Sequence, residues 1–559
     1  RREEAMAKIR VILNKESSHR RIMETTGWQK VQLMFTCLCW FVLLSPMIQV
    51  EGFHLIVTQV PRSTSPFVRR PSCCAKPCSS TGTFMMADGT NHREAGPKDD
   101  TRRKAYLQQT PHSGRHFWPS HPAYKDRPRF LKRNVKKKRF MEGWYYRLTL
   151  PEEQVSFAFI FSIEDMGLRA KSNLTLAAVQ VMGPNDEYLV QADRDDTKFW
   201  AWEGQQGLGC TFEWSSDDDD DEERLKKELT TAMHPEEWRN MVKSGFQMLP
   251  NSLQGRVDGH DGSLGGVYDG QGVSGSCEFD ITIDPIVGWG DNAIGAKGKT
   301  AHQKSTAGWL ASSSVFEPHW QVTMADGRAT GSVRWKNTTY NFADAPFYAE
   351  KNWGGSFPSK WYWAQCNAFD GYMEKDGTHL SVTAGGGTRK IPLGKTEDLG
   401  MVSVHYNGTF YEAVPWTGTM EWDVSPWGRW VMTGRCTSGP RLFEVKITAY
   451  CDAEKVPGVV LRAPTLKDGM VYFCKDSFLA ETTLSLWELT KDKATKELVR
   501  VDGPPIIDCA KSSQGAVEVG GGPWWNDWKG VSDMKQPMKG LVRFPYAFQR
   551  IKRKISPNK

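Results

Sequence analysis

The chain has 559 residues and a formal net charge of +7, enough length for two domains or for one large core with tails. Residues 1–140 carry 27 Lys and Arg against 10 Asp and Glu, residues 141–528 carry 36 against 54, and residues 529–559 carry 9 against 1. An acidic body between basic ends argues against a nucleic-acid groove and suits targeting sequence or contact with a membrane surface.

From Met23, a polar stretch ending in Lys30 leads into the uncharged run Val31–Val50, which reads as the apolar region of a secretory signal peptide. Pro46 and the polar end weigh against the alternative, a transmembrane anchor. Residues His54–Ala87 contain no Asp or Glu and are rich in Ser, Thr, Pro and basic residues, the composition of a transit peptide. Together the two segments resemble the bipartite presequences of algae with secondary plastids. The expectation is therefore a signal peptide over 1–52, a plastid transit-like segment and polar linker over 53–104, and a protein that works in a plastid. The basic run Lys132–Arg139 reads as a solvated linker that could be drawn to an anionic lipid surface.

From Phe140 the pattern changes. Phe157, Phe159, Phe161 and Ile163 alternate with smaller or polar residues, a period-two strand, and similar runs recur at Leu174–Met182, Trp320–Met324, Ser332–Trp335, Leu380–Ala384, Met401–Tyr406, Met420–Val424, Leu442–Ala449 and Thr482–Leu489. Gly, Pro, Asn and Asp punctuate the gaps. One helix is predicted from Pro235, with Glu236 and Glu237 in its first turn and Gly245 closing it. The acidic block Asp217–Glu223 reads as a solvated loop insertion. Many short strands without regular helix alternation predict a mainly β fold of antiparallel barrels, divided within the Gly-rich stretch Gly288–Lys304 into halves 140–300 and 301–528.

Of 23 tryptophans, 20 lie between Trp144 and Trp528, which fits either a heavily aromatic core or a pocket for a large apolar ligand. The body's cysteines (Cys210, Cys277, Cys366, Cys436, Cys451, Cys474, Cys509) form no CxxC pair and read as free thiols rather than a disulfide framework or zinc site. No G-x-S-x-G elbow or HExxH appears, the runs Gly385–Gly387 and Gly520–Gly522 do not form GxGxxG, and Gly298-Lys299-Thr300 lacks the first glycine of a P-loop because position 293 is alanine. What remains is acid–base chemistry in an aromatic setting. The stretch Ala345–Trp363 (APFYAEKNWGGSFPSKWYW) sets one acid, Glu350, among tyrosines and tryptophans, two residues from Tyr348 and hence on its side of an extended strand. Burial there would keep Glu350 protonated, as a general acid must be. The competing reading is a structural pair of Glu350 with Lys351 or with an arginine in a tight turn. Glu317 and His319 form a second acid–histidine cluster at a strand start.

These residues closely resemble the tocopherol cyclase family of plants, algae and cyanobacteria. The likeness runs through most of residues 105–530. It includes TPHSGRHF (110–117), the run Arg139–Asp165, AAVQVMGPNDEYLVQ (177–191), GWGD (288–291) and KSTAGWLASSSVFEPHWQVTMADGRATG. It continues with APFYAEKNWGGSFPSKWYWAQCN, VPWTGTMEWDVSPWGRW, LRAPT and VEVGGGPWWNDWKG. The resemblance implies two lipocalin-like halves, 105–300 and 301–530, followed by a basic tail over 531–559. It implies closure of the chromanol ring of vitamin E from prenylated benzoquinols, with no metal or organic cofactor, at plastid lipid droplets or membranes. Related carotenoid hydratases carry a Tyr-x-acid before Asn-Trp-Gly, matching Tyr348, Glu350, Asn352, Trp353 and Gly354 here. On that basis Glu350 is expected to donate the proton, Tyr348 to orient it and His319 to act as a second acid–base group. Trp320, Asn352, Trp353, Trp361 and Trp363 are expected to line the pocket. A non-catalytic carrier of prenyl lipids and an isoprenoid hydratase are the alternatives.

Overall fold

The structure is a computed structural model; it describes residues 139–165, 174–202, 206–215, 232–259, 275–290, 306, 317–372, 379–390, 395–522, 525–532, 534, 539, 540, 542 and 543. The signal-like and transit-like segments, most of the basic run, the block Asp217–Glu223, Gly298-Lys299-Thr300 and most of the tail lie outside the described residues.

A first sheet contains β1 (Met141–Leu150), β2 (Val155–Glu164), β3 (Leu176–Met182), β4 (Tyr188–Asp193), β5 (Phe199–Ala201) and β6 (Leu208–Trp214). It continues with β7 (Val242–Leu249), β8 (Ser252–Asp258), β9 (Ser276–Val287), β10 (His319–Trp335) and β11 (Thr338–Gly354). Its order, β4-β3-β2-β1-β11-β10-β9-β8-β7-β6-β5, is two antiparallel meanders joined where β1 pairs with β11. Its ends curl toward each other: Gln191 of β4 accepts hydrogen bonds from Ser244 of β7 at 2.9 Å and from the Asp258 amide of β8 at 3.0 Å.

The second sheet contains β12 (Trp361–Cys366), β13 (Leu380–Lys390), β14 (Thr396–Tyr406), β15 (Thr409–Ala413), β16 (Thr419–Ser425) and β17 (Arg429–Ser438). To these it adds β18 (Arg441–Tyr450), β19 (Val459–Thr465), β20 (Gly469–Lys491), β21 (Leu498–Arg500), β22 (Ile507–Gly520) and β23 (Trp528–Ser532). Its path is β15-β14-β13-β12-β22-β20-β18-β17-β16-β23, with β19 and β21 paired to β20. The predicted mainly β class with antiparallel halves is what the chain adopts. The change of sheet falls between Gly354 and Trp361, later than the 300/301 division read from the sequence, because β10 and β11 complete the first sheet. The residues placed at the start of the tail, Val531 and Ser532, belong to β23.

The predicted helix is α1 (Pro235–Met241), with His234 at its N-cap in a reciprocal capping box with Glu237. It ends before Gly245, since Val242 already has extended dihedrals and leads straight into β7.

The alternation in β2 has a further meaning. Phe157, Phe159 and Phe161 fill the interior of the first sheet, while Ala158 and Ile160 pack in a layer shared with the second sheet. Three apolar layers result: one inside each sheet and one between them. Each fully buried Phe of the inner layers contributes about 1.5–3 kcal/mol relative to exposure. Arg147 of β1 crosses the middle layer. Its guanidinium donates to the Gln365 side chain at 2.7 Å, to the Gln365 carbonyl at 3.3 Å and to the Gln514 carbonyl, pinning β1 to β12 and β22.

Candidate active site

The layer between the sheets opens into a cleft enclosing about 1360 Å³, mouth included, walled by β1, β10 and β11 on one side and by β12, β13, β19 and β22 on the other. Glu350 lies on β11 with Tyr145 of β1 and Val322 of β10 as its register neighbours. The register of β10 shifts between Val322 and Met324, opposite Glu350. Such a bulge bends the strand and re-aims its side chains, and bulges recur beside active sites.

Strand alternation sorts the residues of Ala345–Trp363. Tyr348, Glu350 and Asn352 face the second sheet, whereas Ala349, Lys351 and Trp353 face the other way. Glu350 is 7% exposed and lines the cleft. Its Oε2 accepts from the Tyr348 hydroxyl at 2.6 Å and from Trp363 Nε1 at 3.1 Å. Tyr348 and Trp363 thus converge on one oxygen of the carboxyl. Burial pushes the carboxyl up to about 7, and the contacts with Tyr348, Trp320, Trp363 and Asn352, which favour the ionised form, hold it from rising further. The group is thus poised between acid and carboxylate near neutral pH. Tyr145, Tyr348 and Trp363 ring it, with centroid separations of 5.4 Å for Tyr145–Trp363, 6.1 Å for Tyr348–Trp363 and 6.4 Å for Tyr145–Tyr348.

Of the residues suggested for a pocket, Trp320, Asn352, Trp361 and Trp363 line the cleft. Trp353 does not. It is fully buried on the far face of β11, against His319, whose ring stacks on it at 4.9 Å. His319 lines the cleft, but it stands in register with Trp353, on the face of the sheet opposite Glu350, and makes no hydrogen bond to Glu350 or Tyr348. Lys351 is on that far face too. It pairs with Glu142 of β1 and lies 4.1 Å from the ring centroid of Trp144 and 5.0 Å from that of Trp353. Lys351 is therefore paired with Glu142 and not with Glu350, and among the described residues no ion pair to Glu350 is formed. Burial of the pair's ammonium pushes it down to about 8 even beside Glu142.

Sequence reading missed several groups. Tyr145 stands opposite Glu350, and burial pushes its hydroxyl well above the usual tyrosine value. Glu518 of β22 lines the cleft and accepts a hydrogen bond from Trp361 Nε1. Asp476 of β20 stands beside Glu518 in register and is fully buried. The run Gly385–Gly387, which matched no nucleotide motif, makes room for rings: a side chain at Gly386 would strike the Tyr362 hydroxyl, and Gly385 meets Trp320 across the cleft. Nothing local marks these positions, because each acquires its neighbours through strand register.

A family model described as tocopherol cyclase-like matches residues 138–521. A protein of Oryza sativa subsp. japonica named "Probable tocopherol cyclase, chloroplastic" is 36% identical over 447 residues, covering 78% of this chain and 83% of its own. A Zea mays protein named "Tocopherol cyclase, chloroplastic" is 36% identical over 450 residues, again covering 78% and 83%. Among solved structures, kievitone hydratase from Nectria haematococca aligns over 68% of this chain and 88% of its own at 11% identity and a TM-score of 0.30, too low to bear on fold or activity. With the family model spanning the folded body from β1 to the end of β22, this chain belongs to the tocopherol cyclase-like family.

Proposed function

We propose that this protein is a tocopherol cyclase, closing the chromanol ring of a prenylated benzoquinol such as 2-methyl-6-phytyl-1,4-benzoquinol or its dimethyl analogue. The observation that carries the reading is a carboxyl, Glu350, held at a pKa of about 7 in an aromatic cleft. Glu350 gives its proton to the less substituted carbon of the double bond nearest the ring, and a C–H bond forms. The π electrons leave a tertiary cation at the other carbon. The neighbouring phenol oxygen attacks that carbon, the C–O bond forms, and the phenol proton departs. No atoms enter or leave overall. Tyr348, donating to Oε2, orients the acid. The faces of Trp320, Trp361 and Trp363 stabilise the cation, and the apolar walls exclude the water that would otherwise capture it. The names of the plant relatives support a plastid setting, where the quinol would be drawn from a lipid-droplet or membrane surface.

The test is the full chain and its Glu350→Gln variant, incubated with 2-methyl-6-phytyl-1,4-benzoquinol in detergent micelles and followed by chromatography. Loss of general-acid catalysis lowers the rate by roughly 10²–10⁴-fold. Near-normal cyclisation by a folded Glu350→Gln protein overturns the assignment. Quinol returned unchanged by the wild type indicates a carrier, and a tertiary alcohol indicates a hydratase.

A further inference from the structure

The proposed chemistry leaves one proton unaccounted for, that of the phenol, and the cleft holds a second carboxyl. Glu518 and Glu350 both line it, on opposite walls. Each is held by an indole of the same strand: Trp361 donates to Glu518 and Trp363 donates to Glu350. The two tryptophans are two residues apart on β12 and share a face, their backbones roughly 7 Å apart, and their indoles hold the two carboxyls at one stretch of the cleft. With the two carboxyls on facing walls, a reacting group seated in the cleft lies between them, as where an acid and a base flank one substrate bond.

Resting on the reading of Glu350 as proton donor, we propose that Glu518 is the base that takes the phenol proton, so that the two carboxyls share a single proton through the cycle. The cycle starts with Glu350 protonated and Glu518 ionised. Glu350 protonates the alkene, the phenol oxygen closes the ring, and its O–H bond breaks toward Glu518. The cycle ends with Glu350 ionised and Glu518 protonated, and return of that proton across the cleft resets the enzyme without any co-reactant. Burial and the negative charge of Glu350 both raise the Glu518 carboxyl above its ordinary range. Mutual repulsion of this kind disfavours double ionisation and keeps one proton on the pair. Other titratable groups felt by the site are Tyr348 of β11, Tyr145 and Arg147 of β1, Asp476 and Cys474 of β20 and, beyond Asp476, Asp186, while Glu142, Glu164, His319, Arg389 and Arg462 also line the cleft. Asp476 is raised well above the carboxylate range by burial, then by Glu518 and Asp186, against the opposing pull of Arg147. It does not line the cleft, so it does not meet substrate.

The pair predicts a bell-shaped dependence of kcat on pH, the acidic limb following protonation of Glu518 and the alkaline limb ionisation of Glu350. The full chain and four variants, Glu518→Gln, Glu518→Asp, Trp361→Phe and Glu350→Gln, are assayed across pH with the same quinol in detergent micelles. Glu518→Gln is expected to lower kcat by about 100-fold or more, to abolish the acidic limb and to move the alkaline limb to lower pH, since Glu350 loses a repelling neighbour. Glu518→Asp restores part of the rate. Trp361→Phe removes a donor that favours ionised Glu518, so the acidic limb moves to higher pH while the alkaline limb stays within a few tenths of a unit. A role confined to packing would lower rate or stability without reshaping the profile. Glu518→Gln within threefold of wild type with its acidic limb intact overturns the inference, as does an unmoved acidic limb in Trp361→Phe should Glu518→Gln fail to fold. An inactive Glu350→Gln beside a normal Glu518→Gln overturns this inference alone, whereas an active Glu350→Gln overturns the reading beneath it.

Discussion

Adjacent residues on an extended strand face opposite ways, and at Glu350-Lys351 that simple fact separates chemistry from stability. Glu350 meets Tyr348 and Trp363 in the cleft; Lys351 meets Glu142 among Trp144 and Trp353 on the far face. Lys351→Met leaves Glu142 buried without its cation, which is expected to cost about 3–5 kcal/mol. Urea unfolding measures that loss. In the fraction that stays folded, the alkaline limb of the cyclisation profile stays where it is in the wild type, because no ion pair to Glu350 has been lost. Sequence alone left two partners open for Glu350, since spacing reports which side of a strand a residue takes and not what waits there. His319 and Trp353 were harder to read for the same reason: they sit near Glu350 in the chain, or on the strand beside it, but their register sets them on the opposite face.

At the scale of elements, β11, β12 and β22 do most to build the site. β11 closes the first sheet and β12 opens the second, so Ala345–Trp363 supplies residues to both walls of the cleft. β22 lies beside β12, where Gly520 stands in register with Trp361 and Glu518 with Trp363. A methyl group at Gly520 would run into the Trp361 ring. Gly520→Ala is therefore expected to push that indole into the cleft and away from Glu518, with an overpacking cost of about 1–3 kcal/mol. The loss of kcat/KM should exceed what the shift in thermal midpoint accounts for. A variant that melts lower but cyclises normally would count against the coupling of Gly520, Trp361 and Glu518. The prediction of a helix at Pro235 placed its start well and its end too late, because the extended β7 begins immediately after Met241.

Across the whole molecule, stability and chemistry meet in the buried carboxyls. Burial raises Glu350 and Glu164 to about 7 and Asp186 to about 6, from ordinary values of 4.5, 4.5 and 3.8. Between those limits the folded protein binds more protons than the unfolded chain, so the stability these groups carry is complete below about pH 4 and is lost as pH rises through 6 and 7. One carboxyl moved from 4.5 to about 7 corresponds to about 3 kcal/mol. Urea midpoints taken at steps from pH 4.5 to 7.5 should fall with rising pH. Glu350→Gln, which removes the titration and keeps the shape, should flatten part of the slope; a wild-type midpoint that climbs through this range would contradict the assignment.

The sequence by itself determined the class of fold and the leading candidate for the acid. Alternating apolar residues specify strands wherever one face must be buried; the spacing around Glu350 left a general acid and a structural ion pair both open, and the family resemblance singled out the acid. The ordered family blocks carried the reaction, and the lack of a complete P-loop, a G-x-S-x-G elbow and an HExxH narrowed the chemistry to acids and bases. Only the tertiary structure decided what surrounds that acid. Tyr145 reaches Glu350 by pairing of β1 with β11, whereas Glu518 and Asp476 come to the site from β22 and β20 of the other sheet. These neighbours are fixed by register between strands and by packing of one sheet on another, so residues far apart in the chain meet through geometry that no local spacing records.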